Sequence, residues 1–106
     1  MVIKYDKLVR DLIPDIIAKD GKKCTTRVLS ESEYLSRLDQ KLNEELAEYQ
    51  ESKSMEELAD LLEVIHAVAK ARGSSMEEVE MIRRDKAAKR GGFDKRLLLT
   101  EVRSED

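Results

Sequence analysis

Two short acidic runs carry the chemistry that this sequence could do: Glu44-Glu45-Leu-Ala-Glu48 and Glu57-Leu-Ala-Asp60. On a helix turning about 100° per residue, Glu45 falls inside the apolar arc of Leu35, Leu38, Leu42, Leu46 and Tyr49. Glu48 lies at the flank of that arc and Glu44 a little further round. Glu57 falls between Val64 and Val68 on the broad apolar side of its own stretch, with Asp60 beside that edge, whereas Glu56 and Glu63 point to the solvated side. The spacing within each pair puts Glu45 with Glu48, and Glu57 with Asp60, on one side of a helix. Two carboxylates about 5 Å apart repel by roughly 3 kcal/mol at an effective dielectric constant near 20. Four together need protonation, basic side chains or metal ions to offset the repulsion. With no His or Cys among them they are hard oxygen donors, which suit Mg²⁺ or Mn²⁺ and do not suit zinc. Mg²⁺ keeps part of its shell for water and substrate phosphates, so a phosphate-bearing substrate is the expected third party. The competing reading is an ordinary solvated face, with Glu57 reaching back to cap Ser54.

Basic residues supply the complement. Lys86 and Arg90 share the side of Val79 on a third stretch, with Lys89 adjacent, just before Gly91-Gly92. Such cations bind phosphate through charge-assisted hydrogen bonds, although cations also suit a helix C-terminus for its dipole alone. Lys7 and Arg10 are further candidates. His66 sits away from the carboxylate side and reads as a half-exposed helix residue. Lone Cys24 reads as a small buried hydrophobe, and the absence of any second cysteine fits a reducing, cytoplasmic setting.

The elements that must position these residues are helices. Ser30-Glu-Ser-Glu33 and Ser54-Met-Glu-Glu57 are capping boxes, and each is followed by apolar residues three and four apart. They predict one helix from about residue 31 to about 51 and a second ended by Gly73. Ser75-Met-Glu-Glu78 opens a third, ended by Gly91-Gly92. The connection Glu51-Ser-Lys-Ser54 is short, so the first two helices should pack antiparallel and bring the two acidic pairs together. Residues 7–21 read as a loop leading to a short helix near Pro14. Residues 24–29 and 95–102 have strand character and are expected to form a short β pair.

Composition sets the class. Of the 106 residues 41% are charged and 41% apolar, with one proline, four glycines and no tryptophan. This favours long helices with an aliphatic core and excludes disorder. Residues 30–69 carry eleven acidic and three basic groups, between basic flanks. The net charge of −3 argues against a partner that is a nucleic-acid polymer, whose mark is a basic stripe. The most apolar stretch, Leu61 to Ala69, contains Glu63 and His66 and falls short of the roughly 20 residues of a membrane span. The N-terminus has no apolar signal-peptide core.

The acidic runs resemble the Glu-Glu-x-x-Glu and Glu-x-x-Asp signature of the all-α nucleotide pyrophosphohydrolases, which include MazG-like enzymes, dimeric dUTPases and phosphoribosyl-ATP pyrophosphohydrolases. Tyr5-Asp-Lys-Leu-Val-Arg-Asp-Leu-Ile-Pro14 and Lys86-Ala-Ala-Lys-Arg-Gly-Gly-Phe93 are similar to its small single-domain, MazG-like branch. The resemblance implies a mainly α fold over residues 1–106, whose central helices join those of a partner subunit in a four-helix bundle, as a homodimer or homotetramer. It implies Mg²⁺-dependent cleavage between the α and β phosphates of a nucleoside triphosphate, clearing non-standard or surplus nucleotides. Glu45, Glu48, Glu57 and Asp60 would be the metal ligands, Glu44 and Glu45 the catalytic acids, with Glu44 either supporting the metal ligands from outside or acting as a base that orients the attacking water, and Lys86, Lys89 and Arg90 the triphosphate holders. The alternatives are phosphoribosyl-ATP hydrolysis in histidine synthesis and an inert helical oligomerisation module.

Overall fold

A computed structural model describes residues 1–105. Four helices follow in order: α1 Ile13–Lys19, α2 Glu31–Ser52, α3 Met55–Ala71 and α4 Met76–Arg90. The chain divides into two compact units, Met1–Met76 and the residues from Glu77 onward.

In the first unit α2 and α3 form an antiparallel hairpin. The Ser30 hydroxyl accepts from the Glu33 N–H while the Glu33 carboxylate accepts from the Ser30 N–H, so both halves of the expected capping box are made. Lys53 closes α2 in the left-handed region at φ 59°, its N–H donating to the Tyr49 carbonyl at 2.7 Å. Ser54 then starts α3 by accepting from the Glu57 N–H. Arg72, the residue that caps the C-terminal end of α3, donates to Asp39, more than two turns into α2, at 3.1 Å, which ties that end of α3 to α2. Gly73 ends the turn at φ 82°, a conformation that glycine adopts without a Cβ penalty. Leu38, Val64 and Ala69 are the buried apolar residues between the helices.

The N-terminal segment is fastened to this hairpin. Arg37 of α2 donates to the Asp6 carbonyl at 3.0 Å and to the Asp6 carboxylate at 3.1 and 3.2 Å. Pro14 sits in the first turn of α1, where its missing N–H costs nothing.

Two expectations fail here. Among the described residues there is no strand, and residues 24–29 and 95–102 are irregular. Val28, Leu97, Leu98 and Leu99 are all at least 79% exposed. An isolated two-stranded pair has too little burial to hold itself together in water, and β-branched composition does not supply it. Cys24 lies in one of these irregular segments and is exposed, because no element covers it. Among the described residues no helix is long and apolar enough to cross a membrane.

The second unit contains most of α4, whose residues are none of them buried. Glu80 pairs with Arg83 at 2.6 Å and Arg84 at 3.3 Å, and Lys89 with Asp85 at 3.2 Å. These are local helix pairs, each worth a few tenths of a kcal/mol.

The Ser30 cap yields a first prediction. Replacing Ser30 with Ala should lower the stability of the first unit by about 1 kcal/mol, read as a shifted urea midpoint. Arg27, chiefly by hydrogen bonding, with Ser30 beside it, holds the Glu33 carboxyl at about 2, below its ordinary 4.5. A depressed carboxyl contributes stability above its unfolded value that fades as pH falls through the folded one. Stability should therefore decline between about pH 4.5 and 2, and Arg27→Ala should flatten that slope.

Candidate metal centre

The hairpin carries Glu45 from α2 and Glu57 and Asp60 from α3 to one place, where one carboxylate oxygen of each lies within 4.8 Å of the other two. Glu45 is 7% exposed, the one buried charged side chain among the described residues. Lys41, one turn earlier, approaches its Oε1 at 3.6 Å and the Glu44 carboxylate at 3.5 Å. Its Oε2 is buried with no hydrogen-bond partner. An oxygen of this kind is costly unless something satisfies it.

Glu57 was the residue most open to a second explanation, the reciprocal cap. The Ser54 N–H donates instead to the Ser52 hydroxyl at 3.2 Å, so the Glu57 carboxylate is turned to the cluster. Burial raises both the Glu45 and Glu57 carboxyls above their ordinary value of 4.5, and the Glu48 carboxylate beside each raises them further. Lys41 opposes the rise at Glu45; Asp60 adds to it at both. Glu48 is exposed on α2 and acts electrostatically on both helices' acids. Glu44 is exposed too and faces Lys41.

Of the predicted cations, Arg10 is brought to the cluster. Its Nη2 donates to Asp60 Oδ1 at 2.7 Å across 50 positions of sequence. Lys7 is exposed in the same N-terminal segment, on the side that also presents Arg37. Lys86, Lys89 and Arg90 are exposed on the last turns of α4, in the second unit. His66 is exposed on α3.

Beside the carboxylates the N-terminal segment and the hairpin line an open cavity of about 450 Å³. Leu8, Ile13, Leu38 and Val64 give it apolar walls, and Arg10, Lys41, Glu45 and Asp60 a charged end. Tyr34 also faces it, and Glu63, expected on the solvated side, lies at its edge. A volume of this size admits a small organic ligand.

The residues fit a divalent cation. The donors are carboxylate oxygens alone, the hard set that Mg²⁺, Mn²⁺ or Ca²⁺ prefers, and the orphaned Glu45 Oε2 offers a buried lone pair to it. A stretch of 42 residues, 40% of this chain, is 50% identical to part of an uncharacterized protein of Mycolicibacterium smegmatis. The match covers 43% of that relative's length. No family model matches the chain, and no solved structure does.

Sequence reasoning missed Lys41, Arg37 and Asp6. Lys41 had a readable signal, since it stands one helical turn before Glu45. Arg37 and Asp6 had none, because their pairing spans 31 positions.

Proposed function

We propose that the protein is a Mg²⁺-dependent nucleotide pyrophosphohydrolase that cleaves a nucleoside triphosphate between its α and β phosphates. The observation that carries this reading is the buried, unpartnered Glu45 Oε2 within a three-carboxylate cluster, of which Glu45 and Asp60 line a ligand-sized cavity. The resemblance of the three sequence motifs to the small MazG-like branch supplies the reaction.

Glu45, Glu57 and Asp60 would hold the cation, with Glu48 as the fourth carboxylate. When bound, Mg²⁺ offsets the charge of the phosphates and acidifies water. Lys41 keeps the Glu45 carboxylate aimed inward from Oε1, and Glu44 orients the water that adds to the α phosphorus. The bond to the bridging oxygen breaks, leaving a monophosphate and pyrophosphate. The apolar walls would face the base, while Arg10 supplies positive charge for the phosphates; Lys7 lines a different hollow, with Arg37. This chemistry belongs where nucleotides are used, in the cytoplasm, and clearance of non-standard nucleotides is the proposed role.

The proposal includes a homo-oligomer. Met55, Leu58 and Leu62 recur on one stripe of α3 and stay between 37% and 68% exposed, as does Leu46 on α2 at 44%. A second hairpin placed there would complete a four-helix bundle.

The test is a panel of nucleoside triphosphates and phosphoribosyl-ATP with Mg²⁺, scored for pyrophosphate. Release from triphosphates that requires metal and falls at least a hundredfold in Glu45→Ala is expected. Preferred turnover of phosphoribosyl-ATP would move the assignment to histidine synthesis. A folded protein that cleaves nothing would leave a helical module without catalysis.

A further inference from the structure

Asp60 has two claimants. Its carboxylate belongs to the cluster with Glu45 and Glu57, yet its Oδ1 already receives the Arg10 guanidinium at 2.7 Å. A divalent cation on the same carboxylate would bring a like charge close to the guanidinium and draw on the same acid, which weakens the Arg10 pair. The Arg10 pair is half-exposed, at 58% and 42% for the two side chains, and such a pair is weak enough to be displaced. The segment around it is held independently. Asp6 is pinned by Arg37 four residues before Arg10, and the Ile13 N–H donates to the Arg10 carbonyl at 3.1 Å three residues after it. A guanidinium released from Asp60 therefore remains beside the cavity, which Arg10 lines.

We propose that Arg10 is a cation-displaced latch: it occupies Asp60 in the metal-free protein, and a divalent cation at the carboxylates frees it to bind the anion that accompanies the cation. The proposal rests on reading the cluster as a metal centre. Arg10 is then a positioning residue, placed by metal occupancy. It accounts for an arginine in an anion-binding role lying on an acidic residue. Before the cation arrives it partly neutralises a cluster whose other cation is Lys41; afterwards its charge is available to phosphate. Ordered loading follows, with cation before or together with anion, since free pyrophosphate meets an arginine already engaged.

The test uses the whole chain and two measurements. Calorimetric titration with Mg²⁺ should show roughly two- to five-fold tighter binding by Arg10→Gln than by the parent, the range expected for losing a competing exposed ion pair. Nitrogen-15 NMR of the parent's arginine side chains gives a readout that simple charge removal would not move. Saturation with Mg²⁺ should shift the Arg10 Nε signal and speed rotation of its Nη groups while Arg37 stays unchanged, and adding inorganic pyrophosphate should slow Arg10 again. Pyrophosphate added without Mg²⁺ should leave Arg10 where it was. Mg²⁺ binding with an unmoved Arg10 signal, or equal affinity in Arg10→Gln, would overturn the latch and leave the metal centre standing. Absence of Mg²⁺ binding in both proteins would overturn the metal centre and the latch together.

Discussion

Glu45→Gln should make the metal-free protein more stable than the parent and the Mg²⁺-saturated protein less stable. The parent buries a carboxylate with one oxygen unpartnered, beside Glu48, Glu57 and Asp60. An amide of the same shape removes the charge and keeps an oxygen for Lys41. An unsatisfied buried polar group costs about 1–3 kcal/mol, so relief of that order should raise the thermal midpoint by several degrees. The gain should grow with pH. An acid whose folded pKa is raised favours the folded state at pH values below its unfolded value and loses that advantage as pH climbs through the folded one. Glu45 and Glu57 both lie above the ordinary 4.5, so the parent's metal-free stability should fall as pH rises from about 4.5, and less in the variant. Mg²⁺ reverses the order, because a ligand at a hundred times its dissociation constant adds about 2.7 kcal/mol to the protein that binds it. Thermal melts at pH 7 with and without Mg²⁺ would display the crossing, and parallel curves would contradict it.

Leu38→Ala should be among the most damaging apolar substitutions in the hairpin. Leu38 is 3% exposed and, among the described residues, the only leucine of the three buried apolar side chains, the others being Val64 and Ala69. Truncating a buried leucine costs about 2–5 kcal/mol, a large share of the total stability of a small domain. Leu62 is 48% exposed in the single chain, and the proposed bundle gives it a different sensitivity. Leu62→Asp should leave the hairpin helical yet shift sedimentation equilibrium toward the monomer. Leu38→Ala should lower the urea midpoint whatever the association state. A parent that sediments as a monomer at all concentrations would remove the bundle from the account.

What could be read from the sequence follows the range of the interactions. The capping serines, the glycine stops and the inward position of Glu45 depend on neighbours within one or two helical turns, and periodicity reaches that far. The meeting of the pair Glu45 and Glu48 with the pair Glu57 and Asp60 needed one further inference, the short turn at Lys53; the structure brings Glu45, Glu57 and Asp60 together and leaves Glu48 outside that set. The β pair failed because strand composition says nothing about whether a partner edge is present. Cys24 failed for a related reason: residue type predicts average burial, and the irregular segment around it supplies none. Leu46 fits the apolar arc of α2 and is nonetheless 44% exposed, because one partnering helix covers only part of that arc. Arg10 was readable as an anion-binding residue, while its engagement with Asp60 was not, since no local pattern links residues 50 positions apart.

The central claim is that these carboxylates hold a divalent cation, and a Mn²⁺ titration followed by electron paramagnetic resonance tests it most directly. The signal of free Mn²⁺ should be suppressed saturably by the parent, be restored by competing Mg²⁺, and require at least tenfold more protein for Glu45→Gln or Glu57→Gln. Undiminished free signal with the parent, or equal suppression by both variants, would contradict the account.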